Sequence, residues 1–337
     1  MARVGVVSFR LGGTDGVSIE AAKWCAALRS LGHEVATVAG EGPVDIVLPG
    51  LAIDAPSPPT RRELDEAVAG ADVVIVENLA SLPLNPAARE VLYDVLAGRR
   101  AIFHHHDLPW QRPNLAHLEG PRASPEWRHV TINDLSRREL ASRGLHATTL
   151  MNSFDCDPPS GDRDATRREL AVGAGRLVLL ASRALARKNV AGALELASSL
   201  GATLWILGPS EDDYEEELGR LVEHSGVDVR RGQLDGRTVH DAYAAADLVV
   251  MSSTWEGFGN PVLESVTHRR PLALYPYPVA REIVDHGFDF FDLGDVAGIA
   301  AELDAPDARR RERNLDIARR DFNVNDLPGR LREVVDL

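Results

Sequence analysis

Short apolar runs alternate with longer amphipathic runs along the whole chain. Continuous apolar runs such as VVIV at 73–76 are typical of strands buried on both faces of a parallel sheet. In the first half, strands are predicted at residues 3–8, 34–38, 44–48, 72–77, 100–104, 129–133 and 147–151. Helices are predicted at residues 17–31, 61–69, 87–97 and 135–143. Right-handed crossovers would place these helices over both faces of the sheet.

The segment FDCDPPSGDRD at 154–164 interrupts this alternation. Its two prolines, one glycine and four aspartates predict an exposed linker. Beyond it, strands are predicted at residues 177–182, 203–207, 228–231, 247–251 and 271–275. Helices are predicted at residues 190–200, 211–224, 238–245, 261–267 and 279–285. Two final helices are predicted at 308–320 and 327–335, with no further strand.

The pattern predicts an α/β protein with two Rossmann-like, doubly wound domains in series. The predicted N-terminal domain covers residues 1–153, the linker 154–164, the C-terminal domain 165–320 and a last helical segment 321–337. Ligands bind outside the carboxyl ends of the strands in such sheets. Two such domains in series are therefore expected to place these strand ends around one cleft. Functional residues are therefore expected directly after strands.

Composition narrows the classes of partner. A net charge of -14 without a basic stripe argues against a nucleic-acid partner. No apolar stretch approaches the ~20 residues of a membrane span, so no integral membrane segment is expected. The opening MARVGVVSFR has no signal-peptide layout, which predicts a cytoplasmic protein. Two cysteines, Cys25 and Cys156, are too few for a disulfide scaffold.

The basic residues are almost all arginine. Of 37 Lys and Arg residues, only Lys23 and Lys188 are lysine. A lysine retained in such a chain suggests a position that favours a compact ammonium over a planar guanidinium.

Two loops that follow predicted strands could bind an anion. Gly12 and Gly13 lie in a glycine-rich turn before a helix, where backbone N–H groups favour negative charge, but a turn without a ligand is an equally good interpretation. Arg183 and Lys188 lie at a strand exit and a helix entrance, and together they would suit a diphosphate. A solvated basic loop is the alternative, although cations oppose the dipole at a helix N-terminus.

The most informative string, SSTWEGFGNPVLE at 252–264, follows the predicted strand 247–251. Glu256 lies in the loop and Glu264 falls in the helix that Pro261 begins, and the glycines allow a ligand to approach the backbone. Carboxylates here could accept hydrogen bonds from sugar hydroxyls. For Glu264 alone, the ordinary preference for acid in the first helical turn is the competing explanation.

The string EGFGNPVLES at 256–265 resembles the E-x7-E motif of GT-B-fold retaining glycosyltransferases of family 4. Arg183 and Lys188 are similar to that family's R-x4-K pair, and GG at 12–13 to its N-terminal glycine loop. MNSFD at 151–155 resembles its P-N-G-V-D segment, and 278–284 resembles its G-G-x-x-E-I-V segment. The resemblance spans residues 1 to about 325 and implies two Rossmann-like domains, with C-terminal helices returning to the first. The departures are Met151 for proline, Ser153 for glycine and YPYP for the glycine pair, and they leave the sugar and acceptor open.

The resemblance also implies residue roles. Glu264 would bind the ribose of the donor nucleotide, and Glu256 the hydroxyls of the transferred sugar. Arg183 and Lys188 would hold the diphosphate and stabilise its charge as it leaves. The implied catalytic residues are Glu256, His106, Arg183 and Lys188. The implied donor-binding residues are Gly12, Gly13, Arg183, Lys188, Glu256, Phe258, Gly259, Asn260 and Glu264.

Histidines follow the predicted strand at 100–104. Alternation places His104 and His106 on one side while the strand lasts, and such a pair with an aspartate could bind a metal, but no clear third and fourth ligand is visible in the sequence. A histidine satisfied within its loop is the plain alternative. The resemblance implies that His106 lies beside the donor sugar and the acceptor. His104, Asp107, Trp110 and Arg112 are predicted on the acceptor side from their position.

The resulting prediction is a retaining, metal-independent glycosyltransferase that moves a hexose from a UDP-, GDP- or ADP-sugar to an acceptor hydroxyl, without a cofactor. Two DxD strings, at 155–157 and 162–164, lie in the linker rather than after a buried strand, so they are not predicted to bind metal. The alternatives are a sugar-nucleotide epimerase or glycoside phosphorylase of the same fold, or a non-catalytic sugar-nucleotide-binding subunit. A dehydrogenase is disfavoured because no GxGxxG follows a strand.

Overall fold

The computed structural model describes residues 1–211 and 213–335, which form two compact units. Unit 1 contains residues 1–153 together with the C-terminal residues from Val324 onward, and unit 2 contains Phe154–Asn323. The predicted 321–337 segment extends to positions 336 and 337, which lie outside the described residues. None of the described helices has the length and apolarity that crossing a bilayer requires.

Unit 1 is built on a parallel sheet in the order β3-β2-β1-β4-β5-β6-β7. Alternate residues of the central strand β4 serve two cores, with Val73 and Ile75 in one cluster and Val74 and Val76 in the other. The elements are β1 (Arg3–Arg10), α1 (Gly16–Ser30), β2 (Glu34–Glu41), β3 (Ile46–Val47), α2 (Arg61–Val68), β4 (Val73–Glu77), α3 (Pro86–Leu96), β5 (Ala101–His105), β6 (Trp127–Thr131), α4 (Asp134–Ala141) and β7 (Thr148–Thr149).

Unit 2 repeats the design with a parallel sheet in the order β10-β9-β8-β11-β12-β13. Its elements are α5 (Arg163–Glu169), β8 (Leu177–Leu180), α6 (Val190–Ser199), β9 (Thr203–Ile206), α7 (Glu215–Ser225), β10 (Val229–Arg231), α8 (Val239–Ala245), β11 (Leu248–Met251), α9 (Asn260–Thr267), β12 (Leu272–Leu274), α10 (Pro278–Val284), β13 (Phe291–Asp292), α11 (Val296–Asp304) and α12 (Ala308–Asp321). The last helix, α13 (Leu327–Val335), belongs to unit 1.

The predicted α/β class with two doubly wound sheets is confirmed. The prediction that no strand follows 271–275 is wrong, because β13 pairs with β12 through Ala273 and Leu274. Helices α5 and α11 were also missed. The helix predicted from residue 211 begins instead at Glu215, and position 212 lies outside the described residues.

The exposed-linker interpretation of 154–164 is wrong at its start. Phe154 and Cys156 are buried, and the backbone N–H of Phe154 donates to the carbonyl oxygen of Phe322 at 2.7 Å. The Phe154 ring stacks on Phe258 with centroids 5.9 Å apart. Aromatic packing therefore fixes a segment that its prolines and aspartates marked as a loop, and α5 begins before the predicted linker ends.

Helix α13 completes a core of unit 1. Leu327, Leu331 and Val335 are buried in one cluster with Trp24 and Leu28 of α1. A nine-residue helix would not be stable alone, so this packing is what holds it.

We expect Leu331→Ala to lower the free energy of unfolding by about 2–5 kcal/mol, because it removes a fully buried side chain from this cluster. Urea denaturation measures the change. The control is Glu333→Ala on the exposed face of α13, which should change it by less than about 0.5 kcal/mol. Equal, small effects of the two changes would contradict the packing of α13 on unit 1.

Candidate active site

Two loops of unit 2 are joined at the carboxyl ends of β8 and β11. After β8 the chain forms a 3-10 turn, Ala186–Lys188, and Asn189 adopts the left-handed conformation at φ 47° that starts α6. Ser252 donates its hydroxyl to the Lys188 carbonyl oxygen at 2.7 Å, and Thr254 donates its N–H to that of Arg187 at 2.9 Å. These two hydrogen bonds tie the loop after β8 to the loop after β11.

Glu256, in the loop after β11, lies between two cations from the loop after β8. Lys188 Nζ donates to one carboxylate oxygen at 2.5 Å, and an Arg187 nitrogen donates to the other at 2.6 Å. Glu256 and Lys188 are each only 7% exposed. Burial alone raises the pKa of Glu256, but the charges of Lys188 and Arg187 outweigh it and hold this pKa below its usual range. Burial lowers the pKa of Lys188 against the opposing effect of Glu256.

Arg183 and Lys188, predicted to converge on one diphosphate, are held by different carboxylates. Arg183 pairs with Glu211 at 2.5 Å, and both side chains are more than a third exposed. Lys188 is buried against Glu256. A phosphate would therefore have to draw these two cations away from protein carboxylates.

Gly259 begins α9 with φ 95°, a conformation that favours glycine. A Cβ there would lie 2.1 Å from the hydroxyl oxygen of Tyr277, which donates to the Phe258 carbonyl at 2.6 Å. Phe258 is buried, and its ring stacks on Phe154. The predicted donor contacts at Phe258, Gly259 and Asn260 thus fall at the start of α9, where the packing of Tyr277 leaves room only for glycine at 259.

Glu264 lies one turn into α9 and is half-buried. The buried Tyr243 hydroxyl donates to its carboxylate at 2.6 Å. Burial, followed by the charge of Glu264, raises the pKa of Tyr243 well above its ordinary value, so the phenol stays a donor. This bond gives Glu264 a set orientation, and Tyr243 is a site residue that sequence reasoning missed.

The glycine loop of unit 1 contains its own anion. Gly12 has φ 76°, and the helix that follows is capped by Asp15, whose carboxylate accepts from the N–H groups of Val17 at 3.2 Å and Ser18 at 3.1 Å. Arg10 lies 3.4 Å from the same carboxylate. Because Asp15 already satisfies the helix N-terminus, this cap favours the structural interpretation of Gly12 and Gly13.

The histidines at the end of β5 share one carboxylate. Glu77, the last residue of β4, accepts at Oε2 from His104 Nδ1 at 2.9 Å and from His106 Nε2 at 2.8 Å. All three side chains are buried. Burial favours the neutral carboxyl, but the two histidines outweigh it and lower the pKa of Glu77 to about 2. Trp24 stacks on His104 with centroids 4.0 Å apart.

Glu77 is the third candidate metal ligand that the sequence did not reveal. Its oxygen and the two ring nitrogens lie within 4.8 Å of one another, the one such group found in the described part of the chain. Two imidazoles and a carboxylate suit Zn²⁺. Here, however, both nitrogens face an ionised carboxylate as hydrogen-bond donors, and a metal would require both to lose that hydrogen.

The predicted acceptor-side residues form a braced loop after β5. Asp107 pairs with Arg112 at 3.0 Å, and Trp110 donates its indole N–H to Glu139 at 2.8 Å. The Trp110 ring also lies 3.8 Å from the guanidinium of Arg143. Trp110 and Arg143 line an open cavity of about 430 Å³ in unit 1.

The missed residues had weak sequence signals. Arg187 adjoins Lys188, but only the fold shows that both reach Glu256. Glu77 and Asn78 are polar residues ending the all-apolar VVIV strand, a signal that could have been used. Tyr243 carried none, because an aromatic residue at a core-facing helix position is ordinary.

The chain is similar to known glycosyltransferases. The family model "Glycosyl transferases group 1" matches residues 176–307. The mannosylglucosylglycerate synthases of Petrotoga mobilis and Thermotoga maritima are 28% and 26% identical to the chain, covering 87% of it and 87% and 85% of their own lengths. Among solved structures, Anabaena HepE in complex with UDP-glucose matches with a TM-score of 0.76 at 18% identity over the whole of both chains. A Rickettsia africae glycosyltransferase matches with a TM-score of 0.71 at 14% identity, over 99% of this chain and 98% of that one.

We expect Lys188→Met to lower the free energy of unfolding by about 3–5 kcal/mol at pH 7, because it removes a buried partner of Glu256. Since the fold lowers the pKa of Glu256, its ionic contribution is present above the ordinary value of 4.5 and is lost as the pH falls through the folded value. Urea denaturation at a series of pH values measures both effects.

The matched control is Arg183→Met, whose pair with Glu211 is exposed and should contribute no more than about 1 kcal/mol. Similar losses for the two variants would show that the Lys188–Glu256 pair is not buried in solution.

Proposed function

We propose that this chain is a group 1 glycosyltransferase that transfers a hexose from a nucleotide-diphosphate sugar to an acceptor hydroxyl, with retention of configuration and without a metal ion. The observation that carries the proposal is the Lys188–Glu256–Arg187 cluster, followed one helix turn later by Glu264 on Tyr243. Two cations and two oriented carboxylates, the carboxylates within nine residues of chain, suit a ligand that has both phosphates and sugar hydroxyls.

Lys188 and Arg183 would bind the diphosphate. Charge builds on the leaving phosphate as the glycosidic bond breaks, and two cations beside it would stabilise that charge. Glu256 accepts a hydrogen bond from Lys188 at 2.5 Å, and the same carboxylate accepts a second one from Arg187. Glu256 would therefore remain paired with Arg187 while Lys188 turns to phosphate.

The two glutamates would divide the donor between them. Glu264, fixed by Tyr243, would accept from the ribose hydroxyls. Glu256 would accept from hydroxyls of the transferred sugar, and the backbone at the start of α9 would contact sugar and phosphate. In unit 1, His106 would face the reacting sugar, and Asp107, Trp110 and Arg112 would contribute to acceptor binding.

The relatives suggest which sugars to test. The two bacterial relatives are named mannosylglucosylglycerate synthases, and HepE was solved with UDP-glucose. Those names favour a mannosyl or glucosyl donor and a small glycerate-type acceptor for this chain. They also favour transfer over the epimerase, phosphorylase and non-catalytic alternatives.

A thermal-shift panel of UDP, GDP and ADP with their glucose and mannose conjugates tests the donor. A ligand at 100 times its dissociation constant adds about 2.7 kcal/mol, which separates binders from non-binders. Incubation of the best donor with glycerate and glucosylglycerate, followed by NMR of the anomeric proton, then tests transfer and retention. Nucleotide binding without turnover of any donor would favour the non-catalytic alternative.

We expect Glu264→Gln to weaken nucleotide binding by about 10-fold or more with a smaller change in kcat, because ribose does not react. Glu256→Gln should mainly lower kcat, because its bond to the sugar strengthens in the transition state. Calorimetry with free nucleotide and steady-state kinetics measure the two quantities. Glu223→Gln, an exposed change on α7, is the control. Equal losses of free-nucleotide affinity in both variants would contradict this division.

We also expect activity in excess EDTA to stay within about twofold of the untreated rate, because lysine and arginine supply the charge that Mg²⁺ or Mn²⁺ would otherwise provide. Initial rates after dialysis with and without EDTA measure this. Complete loss of activity that Mn²⁺ restores would contradict metal independence.

A further inference from the structure

We propose that Glu77 and Asn78, at the carboxyl end of β4, are positioning residues that fix the ring and the backbone of His106 so that its Nδ1 atom meets a substrate hydroxyl. The inference rests on the proposed function of His106. Neither residue is part of the glycosyltransferase motifs named above. Both lie at the end of β4, which pairs with β5, the strand that His106 follows.

Glu77 sets which ring nitrogen carries hydrogen. Its Oε2 lies 2.8 Å from His106 Nε2, and an ionised carboxylate can only accept. Nε2 must therefore carry hydrogen. Nδ1 makes no hydrogen bond to any part of the chain that the structure describes, so it is the ring atom available to a ligand.

Asn78 fixes the backbone of the same residue. Its side-chain oxygen accepts from the N–H groups of His106 and Asp107, both at 3.1 Å, and from the hydroxyl of Ser81 at 3.0 Å. Its own N–H donates to the carbonyl oxygen of His104 at 2.9 Å. Asn78 adopts φ 58°, a left-handed conformation that asparagine tolerates better than most residues. One asparagine thus clamps the exit of β5 where His106 begins to leave the sheet.

The residues around Glu77 restrict the orientation of its carboxylate and of the His106 ring. His104 holds the same oxygen of Glu77 at 2.9 Å, and Trp24 stacks on the His104 ring at 4.0 Å. The Ser8 hydroxyl donates to the Glu77 carbonyl oxygen at 3.1 Å. Rotation of the carboxylate would break bonds to two histidines at once, so the orientation of His106 follows from that of Glu77.

A role in stability alone does not explain the buried carboxylate of Glu77. Glu77 is fully buried, and its second oxygen has no hydrogen-bond partner among the described residues. A buried charge with an unsatisfied oxygen costs stability that an apolar side chain would not. Local conflicts of this kind are typical of functional sites, where an oriented group is worth more than a stable core.

Nitrogen-15 NMR of histidine-labelled protein tests the positioning directly, with no need of substrate. Resonances of His106 are assigned by their loss in His106→Gln. We expect wild-type His106 to show hydrogen on Nε2, and Glu77→Gln to shift it towards a mixture of tautomers, because an amide can donate as well as accept. The control is Asp321→Asn, which removes a carboxylate 2.7 Å from His286 in unit 2 and should leave His106 unchanged. An unchanged His106 tautomer in Glu77→Gln would overturn the proposal.

Kinetics test the consequence. Glu77→Gln should lower kcat by about 10- to 100-fold, as loss of a residue that orients a functional histidine does elsewhere, with KM for the donor within about twofold. In a His106→Gln background the same change should add less than about twofold, because Glu77 acts through the histidine. Full additivity of the two changes would overturn the proposal. If wild-type protein transfers no sugar, the proposed function fails, while the NMR result still decides the positioning.

Two further measurements keep the test decisive. If Glu77→Gln fails to fold, Asn78→Gly takes its place in the kinetic test. This change keeps the left-handed backbone but removes the hydrogen bonds to the backbone of His106, so it should lower kcat. Stoichiometric zinc in dialysed wild-type protein, absent from Glu77→Gln, would show that the three side chains bind metal and would overturn the positioning role.

Discussion

The buried ion pair between Lys188 and Glu256 is the interaction on which unit 2's candidate site depends. It joins the loop after β8 to the loop after β11, which leads into α9. Buried ion pairs seldom stabilise a protein more than apolar residues of the same size would. A function explains the pair better than stability does: under the proposed function, a donor phosphate would replace one carboxylate bond at Lys188, so the cation would exchange one anion for another rather than being desolvated anew.

Both units apply the same principle at a strand exit. In unit 2, Glu256 is ionised in a buried place by Lys188 and Arg187. In unit 1, Glu77 is ionised in a buried place by two imidazoles. The difference in partner decides what each carboxylate can do. Ammonium and guanidinium groups supply permanent charge, whereas imidazoles supply directional bonds, so the first arrangement suits an anion and the second suits the orientation of a ring.

The strand and helix pattern of the two sheets could be predicted because parallel strands are continuously apolar and crossover helices are amphipathic. Strand β13 could not, since two residues paired to β12 leave no periodic signal. The burial of Phe154 was hidden for a different reason: its aromatic partners lie about 100 residues or more away in sequence. Within the site, glutamates and cations that follow strands could be identified by position. Which cation meets which carboxylate could not, because Arg183 and Lys188 differ in partner only through the tertiary fold.

One physical reason explains why positions 23 and 188 of this arginine-rich chain hold lysine. Lys188 pairs with Glu256, and Lys23 pairs at 2.8 Å with Glu20, another glutamate buried in its unit. Lys23 also donates to the carbonyl oxygen of Ser153, where the first stretch of unit 1 ends. A guanidinium in either place would bring five N–H groups in a rigid plane to a site that offers only a few oxygens, leaving donors unsatisfied. A compact ammonium leaves fewer donors to satisfy. The choice of lysine is therefore explained by the geometry of a buried carboxylate in both units.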